Sequence, residues 1–341
     1  MKDKKKLLFN IFIFILLIFL TYYIIFRNYD MKYVYQNIMN LDIFYLIVAF
    51  LMMFLYFVLE ALNIRFILKT FNEKLPLLKA IKNIFICFFF SAVTPGGSGG
   101  QPVAIYFLSK EKVNVSHSTM AFLIELFGYN CSKVVIGLIS FILLPHELRS
   151  DLKIFYIIGF AFGMVPISLT LIGIFYKKVA AKLVDIFIKI LKFFNIKNIK
   201  EKETTIRDEL KLFNESSSYV KKHRKEFFKS LLLSFCQVLV YYMIPFFVYK
   251  SLHLSGVTII TFVMLQAILH NSSSSIPLPG AVGITETVFL LVYGYIYTSA
   301  DLLQSSLIVN RMVTFYIYVI ISLIVYLFAI IKSGNKKTLD N

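Results

Sequence analysis

Between residues 43 and 64 the chain runs through twenty-two positions with a single charge, Glu60, and almost nothing else but large apolar side chains. At 1.5 Å per residue a helix of that length spans the ~30 Å hydrocarbon core of a bilayer. Five further runs are of similar character: 7–26, 116–144, 154–176, 230–249 and 302–331. The chain is 58% apolar and only 16% charged, against about 25% charged in soluble domains. These runs exclude a water-soluble enzyme, a disordered chain and a secreted disulfide scaffold. The sequence reads as an all-α polytopic membrane protein.

The first run follows a basic tail, as the apolar part of a signal peptide would. Its twenty residues exceed the 7–15 typical of such a segment, and no small-x-small cleavage site follows. It is therefore expected to stay as the first span. Cys87, Cys131 and Cys236 all lie in apolar stretches without metal-ligand or redox spacing, and read as packing residues.

Two apolar stretches are too short or too broken to cross alone. Residues 80–93 run into Thr94-Pro95-Gly96-Gly97-Ser98-Gly99-Gly100-Gln101-Pro102, after which 103–108 return. Residues 257–270 run into Asn271-Ser272-Ser273-Ser274-Ser275-Ile276-Pro277-Leu278-Pro279-Gly280, after which 287–297 return. Irregular backbone at membrane depth is tolerated only where protein or a wet cavity satisfies its N–H and C=O groups. Both segments, 80–108 and 257–297, are therefore expected to be re-entrant helical hairpins. Six spans and two hairpins put both termini on one face.

The charges test that arrangement. With cytoplasmic termini, the inside segments hold four Lys in the N-terminal tail, five Lys or Arg over 65–82, Lys110 and Lys112, fifteen over 177–229 and three in the C-terminal tail. That is 29 of the 36 cationic residues, against five outside, with Lys133 and Arg311 inside spans. Such an asymmetry is what the positive-inside rule requires. A single crossing in place of one hairpin, the first, would put 177–229 on the wrong face. The hairpins then enter from opposite faces, an inverted-repeat-like layout common among transporters. The whole chain, 1–341, is expected to be one membrane domain. Its polar connection over 177–229 begins with an amphipathic helix at the cytoplasmic interface and is too short for an added catalytic domain.

Five ionisable residues fall within spans or hairpins: Glu60, Glu125, Lys133, Glu286 and Arg311. Unpaired, lipid-facing placement of any of them costs about 2.5–3.5 kcal/mol on insertion scales. Glu125 and Lys133, eight positions apart, sit roughly 80° apart around one helix. Glu286 follows Gly280 at the mouth of the second hairpin, where freed amides gather. Arg311 has a planar fork suited to phosphate, but an internal ion pair of Arg311 with Glu125 or Glu286 is an equal alternative. Glu60, close to Arg65, reads as a residue snorkelling to the surface. The run Gly96, Gly97, Ser98, Gly99 and Gly100 could cradle a phosphate by its backbone amides, with Gln101 next to it, and Pro279, Gly280 and Gly283 mark the second break. The five histidines lack metal-ligand spacing, and neither a hydrolase triad nor a nucleotide-binding loop is present, so neither metal nor cofactor is expected.

Thr94 to Val103, followed by Tyr106, resembles the first motif of the flippase-like membrane domain of MprF-type lysylphosphatidylglycerol synthases. Pro277-Leu278-Pro279-Gly280-Ala281-Val282-Gly283-Ile284-Thr285-Glu286 resembles that domain's second motif, Pro-x-Pro-Gly-Gly-x-Gly-x-x-Glu. Order and separation agree over nearly the whole chain. The resemblance implies a bacterial inner-membrane protein that moves phospholipid or lipid-linked cargo between leaflets, in a family associated with resistance to cationic peptides. In full synthases a soluble C-terminal domain transfers lysine from lysyl-tRNA to phosphatidylglycerol, and this chain is expected to lack it. Gln101 stands where many relatives have Glu, Ala281 where they have Gly, and Thr285 where Arg is frequent. These departures leave the cargo's charge preference open.

The expectation is a lipid translocase for lysylphosphatidylglycerol or a related lipid. Its cargo residues would be Gly96, Gly97, Gly99, Gly100, Gln101, Glu125, Lys133, Pro279, Gly280, Gly283, Glu286 and Arg311. A lysyltransferase, or its membrane component, and a non-transporting envelope scaffold are the alternatives. The expected partners are anionic or aminoacylated phospholipid headgroups, not nucleic acid. A separately encoded soluble transferase and a second copy of the chain remain open.

Overall fold

Backbone amides in hydrocarbon have no water to bond, so a chain this apolar satisfies them inside helices. The computed structural model describes residues 31–144, 146–175, 177–193, 223–273 and 278–339, with isolated positions 12, 16, 19, 23, 203, 204, 207, 208 and 211. Among these residues all regular structure is helical. The helices are α1 (Met31–Met39), α2 (Ile43–Thr70), α3 (Leu77–Val93), α4 (Gly100–Lys110), α5 (Val115–Leu143), α6 (His146–Phe175), α7 (Lys177–Phe193), α8 (Arg224–Ser251), α9 (Ile259–Ser273), α10 (Ile284–Tyr293), α11 (Ala300–Arg311) and α12 (Ile317–Leu339). A π-helical turn, Met312–Tyr316, joins α11 to α12.

Four helical units are long and apolar enough to cross a membrane: α2, α5, α8, and α11 through α12 over Ala300–Ile331. They coincide with four of the six expected runs. The run at 154–176 falls on α6, and the run at 7–26 lies outside the described residues except at four positions. The expected amphipathic helix is present as α7, with Lys178, Lys182, Lys189 and Lys192 exposed and Ile188 buried. Most of the connection after it, 194–222, is likewise outside the described residues.

Helix starts follow capping chemistry. Asp42 accepts from Phe44 N–H at 2.9 Å to open α2, and Asn114 accepts from Ser116 N–H at 2.8 Å to open α5. The pair that packs over the greatest length is α2 with α8, and α5 packs against both. Small and polar residues set this contact, as they do where apolar surface alone gives helices no reason to associate. Asn63 donates to Ser234 Oγ at 2.9 Å and to Ser230 O at 3.3 Å, and accepts from Ser230 Oγ at 2.7 Å. A Cβ on Gly128 would lie 2.7 Å from Ser234 Oγ. A second such point is Asn271, whose amide donates to Lys133 O at 3.1 Å, and whose backbone leaves no room for a side chain on Gly159 of α6.

Phenylalanine and tyrosine fill the layer between α2, α3 and α12. Phe57 packs on Phe85 at 4.8 Å between centroids and on Tyr318 at 5.0 Å, while Tyr318 donates its hydroxyl to Phe50 O at 2.8 Å. After α4 the chain is held by Glu111, which bonds Lys79 at 2.5 Å and Lys82 at 2.6 Å, both on α3. Partial burial pushes the Glu111 carboxyl up, but the hydrogen bonds from Lys79 and Lys82 outweigh it and hold it below its ordinary value.

Two outcomes are expected from this packing. Gly128→Val forces Ser234 away and lowers stability by about 1–3 kcal/mol, read as a lower unfolding temperature in detergent, and a second change Ser234→Ala recovers part of it. Because the folded-state value of Glu111 is depressed, its contribution is full above the unfolded value of about 4.3 and is lost as pH falls through the folded value. Wild type should therefore lose more thermal stability than Glu111→Gln between neutral pH and pH values below about 4.3.

Candidate functional site

The two helix breaks are built alike. Thr94 and Leu278 are extended (ψ 146° and 148°), a proline follows each, and then Gly96 (φ 60°, ψ 21°) and Gly280 (φ 58°, ψ 13°) turn left-handed. Only glycine takes this conformation without steric cost. The same two bonds close each turn. Gly97 N–H donates to Thr94 O at 3.1 Å and Ser98 N–H to Pro95 O at 3.3 Å; Ala281 N–H donates to Leu278 O at 3.1 Å and Val282 N–H to Pro279 O at 3.3 Å. The turns touch one another, and Val282 packs with Phe89, Phe90 and Val93 at the end of α3.

Around the first turn, Thr94 Oγ1 donates to Phe90 O at 2.6 Å and accepts from Gly99 N–H at 2.9 Å, so it closes α3 and opens α4 together. A Cβ on Gly100 would fall 1.9 Å from Ser91 Oγ and 2.6 Å from Cys87 O. Gly100 therefore serves the close approach of α4 to α3. Pro95, Gly96 and Ser98 are exposed, while Gly97, Gly99 and Gln101 are partly so.

Around the second turn, Glu286 is fully buried in the first turn of α10. Its Oε2 accepts from Gly283 N–H at 2.7 Å, which caps the helix. Its Oε1 lies 2.8 Å from Arg311 Nε and accepts from Tyr316 OH at 3.4 Å. Arg311 Nη2 also donates to Gly280 O at 3.3 Å, and its guanidinium lies 4.4 Å from the Phe315 ring centroid and 5.4 Å from that of Tyr316. The π turn at Met312–Tyr316 puts both rings against the guanidinium of the residue that precedes it. Such turns recur at functional sites. Of the two open pairings for Arg311, the structure has the one with Glu286.

Glu125 and Lys133 belong to a second buried group on α5, away from that ion pair. Glu60, read from the sequence as snorkelling, is turned inward: Gln237 Nε2 donates to its Oε2 at 3.3 Å, and Glu125 lies within electrostatic reach. The reason is length. The apolar run ends at residue 64, but α2 continues to Thr70, which sets Glu60 ten residues inside the helix. Tyr56 lies beside Tyr129, Tyr129 OH meets His270 Nε2 at 3.4 Å, and His270 Nδ1 meets Tyr242 OH at 3.2 Å. Lys133 Nζ lies 5.9 Å from the Tyr129 ring centroid. None of these tyrosines, nor Gln237, stood out in the sequence; their common apolar surroundings gave no cue.

Two hollows open along α2, one against the π turn and one at its C-terminal end. One of about 510 Å³ is apolar throughout, lined by Leu46, Phe50, Val309, Met312 and Ile317 among others. The other, of about 580 Å³, is lined by Arg65, Lys69, Glu73 and Lys74 with apolar neighbours.

A family model described as the lysylphosphatidylglycerol synthase TM region matches residues 7–322. The chain belongs to this family. The match takes in both Pro-Gly turns, Glu286 and Arg311. Membership in the lysylphosphatidylglycerol synthase TM family, with the long apolar helices, makes the chain a membrane-embedded multi-pass protein tied to lysylphosphatidylglycerol. No curated protein matches it by sequence.

Two stability changes are expected here. Ala281, in the position of Gly97, is left-handed at φ 49°, where a Cβ costs about 1–2 kcal/mol. Ala281→Gly relieves that strain against glycine's larger unfolded-state entropy, so the unfolding temperature should rise by the equivalent of up to about 1 kcal/mol. Arg311→Leu leaves Glu286 buried without its cation and should cost about 3–5 kcal/mol, of which Glu286→Gln in the same chain restores more than half.

Proposed function

We propose that the chain is a lipid translocase that carries the headgroup of lysylphosphatidylglycerol, or a closely related phospholipid, between the leaflets of the bacterial cytoplasmic membrane. The observation that carries this reading is the meeting of two equally built Pro-Gly turns, one following α3 and the other preceding α10. It supports six spans and two hairpins that enter from opposite faces, with both termini cytoplasmic, as the 29-to-five distribution of cationic residues also requires.

In this reading the headgroup passes beside the turns. The phosphate meets backbone N–H groups of the exposed first turn and the edge of Arg311. Glu286 holds Arg311 in place and lies too close to it to serve a cargo amine. The lysyl ammonium groups meet Glu125, with Glu60 beside it. Acyl chains stay in lipid or in the apolar hollow next to Met312, since pulling them through a polar site would cost ~0.8 kcal/mol per CH₂. The basic hollow at Arg65 and Lys69 suits an anionic headgroup approaching from the cytoplasmic leaflet.

The test is inversion of labelled lysylphosphatidylglycerol in reconstituted vesicles. Wild type should invert it well above the rate in protein-free vesicles, and Glu125→Gln should slow the lysyl lipid more than phosphatidylglycerol. Equal rates with and without protein would remove the translocase reading. Label passing from lysyl-tRNA into phosphatidylglycerol on the pure protein would replace it with the synthase.

A further inference from the structure

The group around Glu60 has a property that cargo binding leaves unexplained. Glu60 is half-buried and Glu125 buried on neighbouring helices, whose contact at Asn63, Ser234 and Gly128 lies one turn away. Neither is in an ion pair among the described residues. Gln237 is 1% exposed; its amide nitrogen is committed to Glu60, and its Oε1 has no hydrogen-bond partner. Two carboxyls and an amide oxygen thus come from α2, α5 and α8, and Gln237 Nε2 is the one side-chain donor bonded to them among the described residues. Two carboxylates cannot both stay charged in a low-dielectric interior without a counter-charge, and an orphaned amide oxygen beside them marks the same missing positive group.

Tyr56 on α2, Tyr129 on α5 and Cys87 on α3 are the other titratable groups against the carboxyls. From α8 come Gln237 and Tyr241, the latter facing Tyr129. None of these is a cation. Two basic groups stand at Tyr129: His270 Nε2 lies 3.4 Å from its hydroxyl and Lys133 Nζ 5.9 Å from its ring centroid. Yet the site is connected. Tyr129, His270 and Tyr242 form one hydrogen-bonded series across α5, α9 and α8, and Tyr56 of α2 lies beside Tyr129. His270 stands near the end of α9, just before the second break, with the Tyr241 ring 5.3 Å away, and Tyr241 in turn faces Arg311.

We infer that Glu60 and Glu125 form a proton-binding site, connected through Tyr129 and His270 toward the second turn, and that the proton exchanges with the cationic end of the cargo. This rests on the translocase reading for its cargo but not for its proton. The chemistry balances simply. A proton adds to one carboxylate oxygen to give the neutral acid, and leaves it again when a lysyl ammonium takes its place. Along the series only O–H and N–H bonds form and break, and nothing is oxidised or reduced. Carboxyl and histidine chains of this kind serve as proton relays in pumps and transporters.

The test uses the full chain in vesicles of phosphatidylglycerol and lysylphosphatidylglycerol that enclose a pH-sensitive dye. A pH gradient is imposed with potassium and valinomycin to compensate charge, and lipid inversion is followed in the same preparation. Wild type should discharge the gradient faster than protein-free vesicles. Glu60→Gln and Glu125→Gln should fall to the protein-free leak, and Tyr129→Phe, which keeps the ring and removes only the hydroxyl, should slow discharge while the protein keeps its unfolding temperature. Wild-type discharge at the protein-free rate, or discharge equal in wild type and both glutamine variants, overturns the proposal whatever the lipid does. Carboxyl-dependent discharge without lipid inversion upholds the proton site and removes the translocase reading instead.

Discussion

Each Pro-Gly turn breaks a helix inside an apolar stretch and frees amides and carbonyls that must be satisfied by protein. The structure meets this need twice with one device, a left-handed glycine after proline closed by two short backbone bonds. What differs is the support. Thr94 holds the first turn from within its own segment, whereas the second depends on Glu286 and on Arg311 from a helix well beyond it. The Glu286–Arg311 pair thereby ties α10, the turn and the π-helical start of α12 into one unit. Much of the rest follows from that tie, because it fixes where the last long helix meets the two breaks.

The polar interior divides in consequence. At the second turn positive and negative charge are matched and packed under Phe315 and Tyr316. Across α2, α5 and α8 the balance is negative, with two carboxyls and, on the Gln237 amide bonded to Glu60, an oxygen without a hydrogen-bond partner. The proposed cargo, with one phosphate and two ammonium groups, would match that division, its anion near the turns and its cations near Glu125. A proton at the same carboxyls would keep the site close to neutral while no cargo is bound.

Much of this was legible in the sequence, and the exceptions have physical causes. Apolar runs of twenty or more residues have few alternatives to crossing a membrane, so four long helices fall where the runs do. Pro-Gly after an apolar stretch requires a turn, and both turns are present. Glu286 with Arg311 was one of two open pairings, since spacing in sequence cannot choose between partners on different helices. The sequence puts Glu60 at the surface because the apolar run ends at residue 64, whereas the helix extends six residues further to Thr70. The tyrosine and histidine series was invisible, since its members are joined only by the packing of three helices, and the π turn has no sequence cue at all.

The central claim is that the two turns face each other at mid-membrane depth. Depth can be read by placing a fluorophore at Ser98→Cys or Leu278→Cys, with Cys87, Cys131 and Cys236 replaced by Ser, in bilayers whose lipids carry quenchers either at the headgroup or near the acyl-chain end. The account predicts that the acyl-end quencher is the stronger of the two at both positions. Stronger quenching from the headgroup at either position would place that turn at the membrane surface and contradict it.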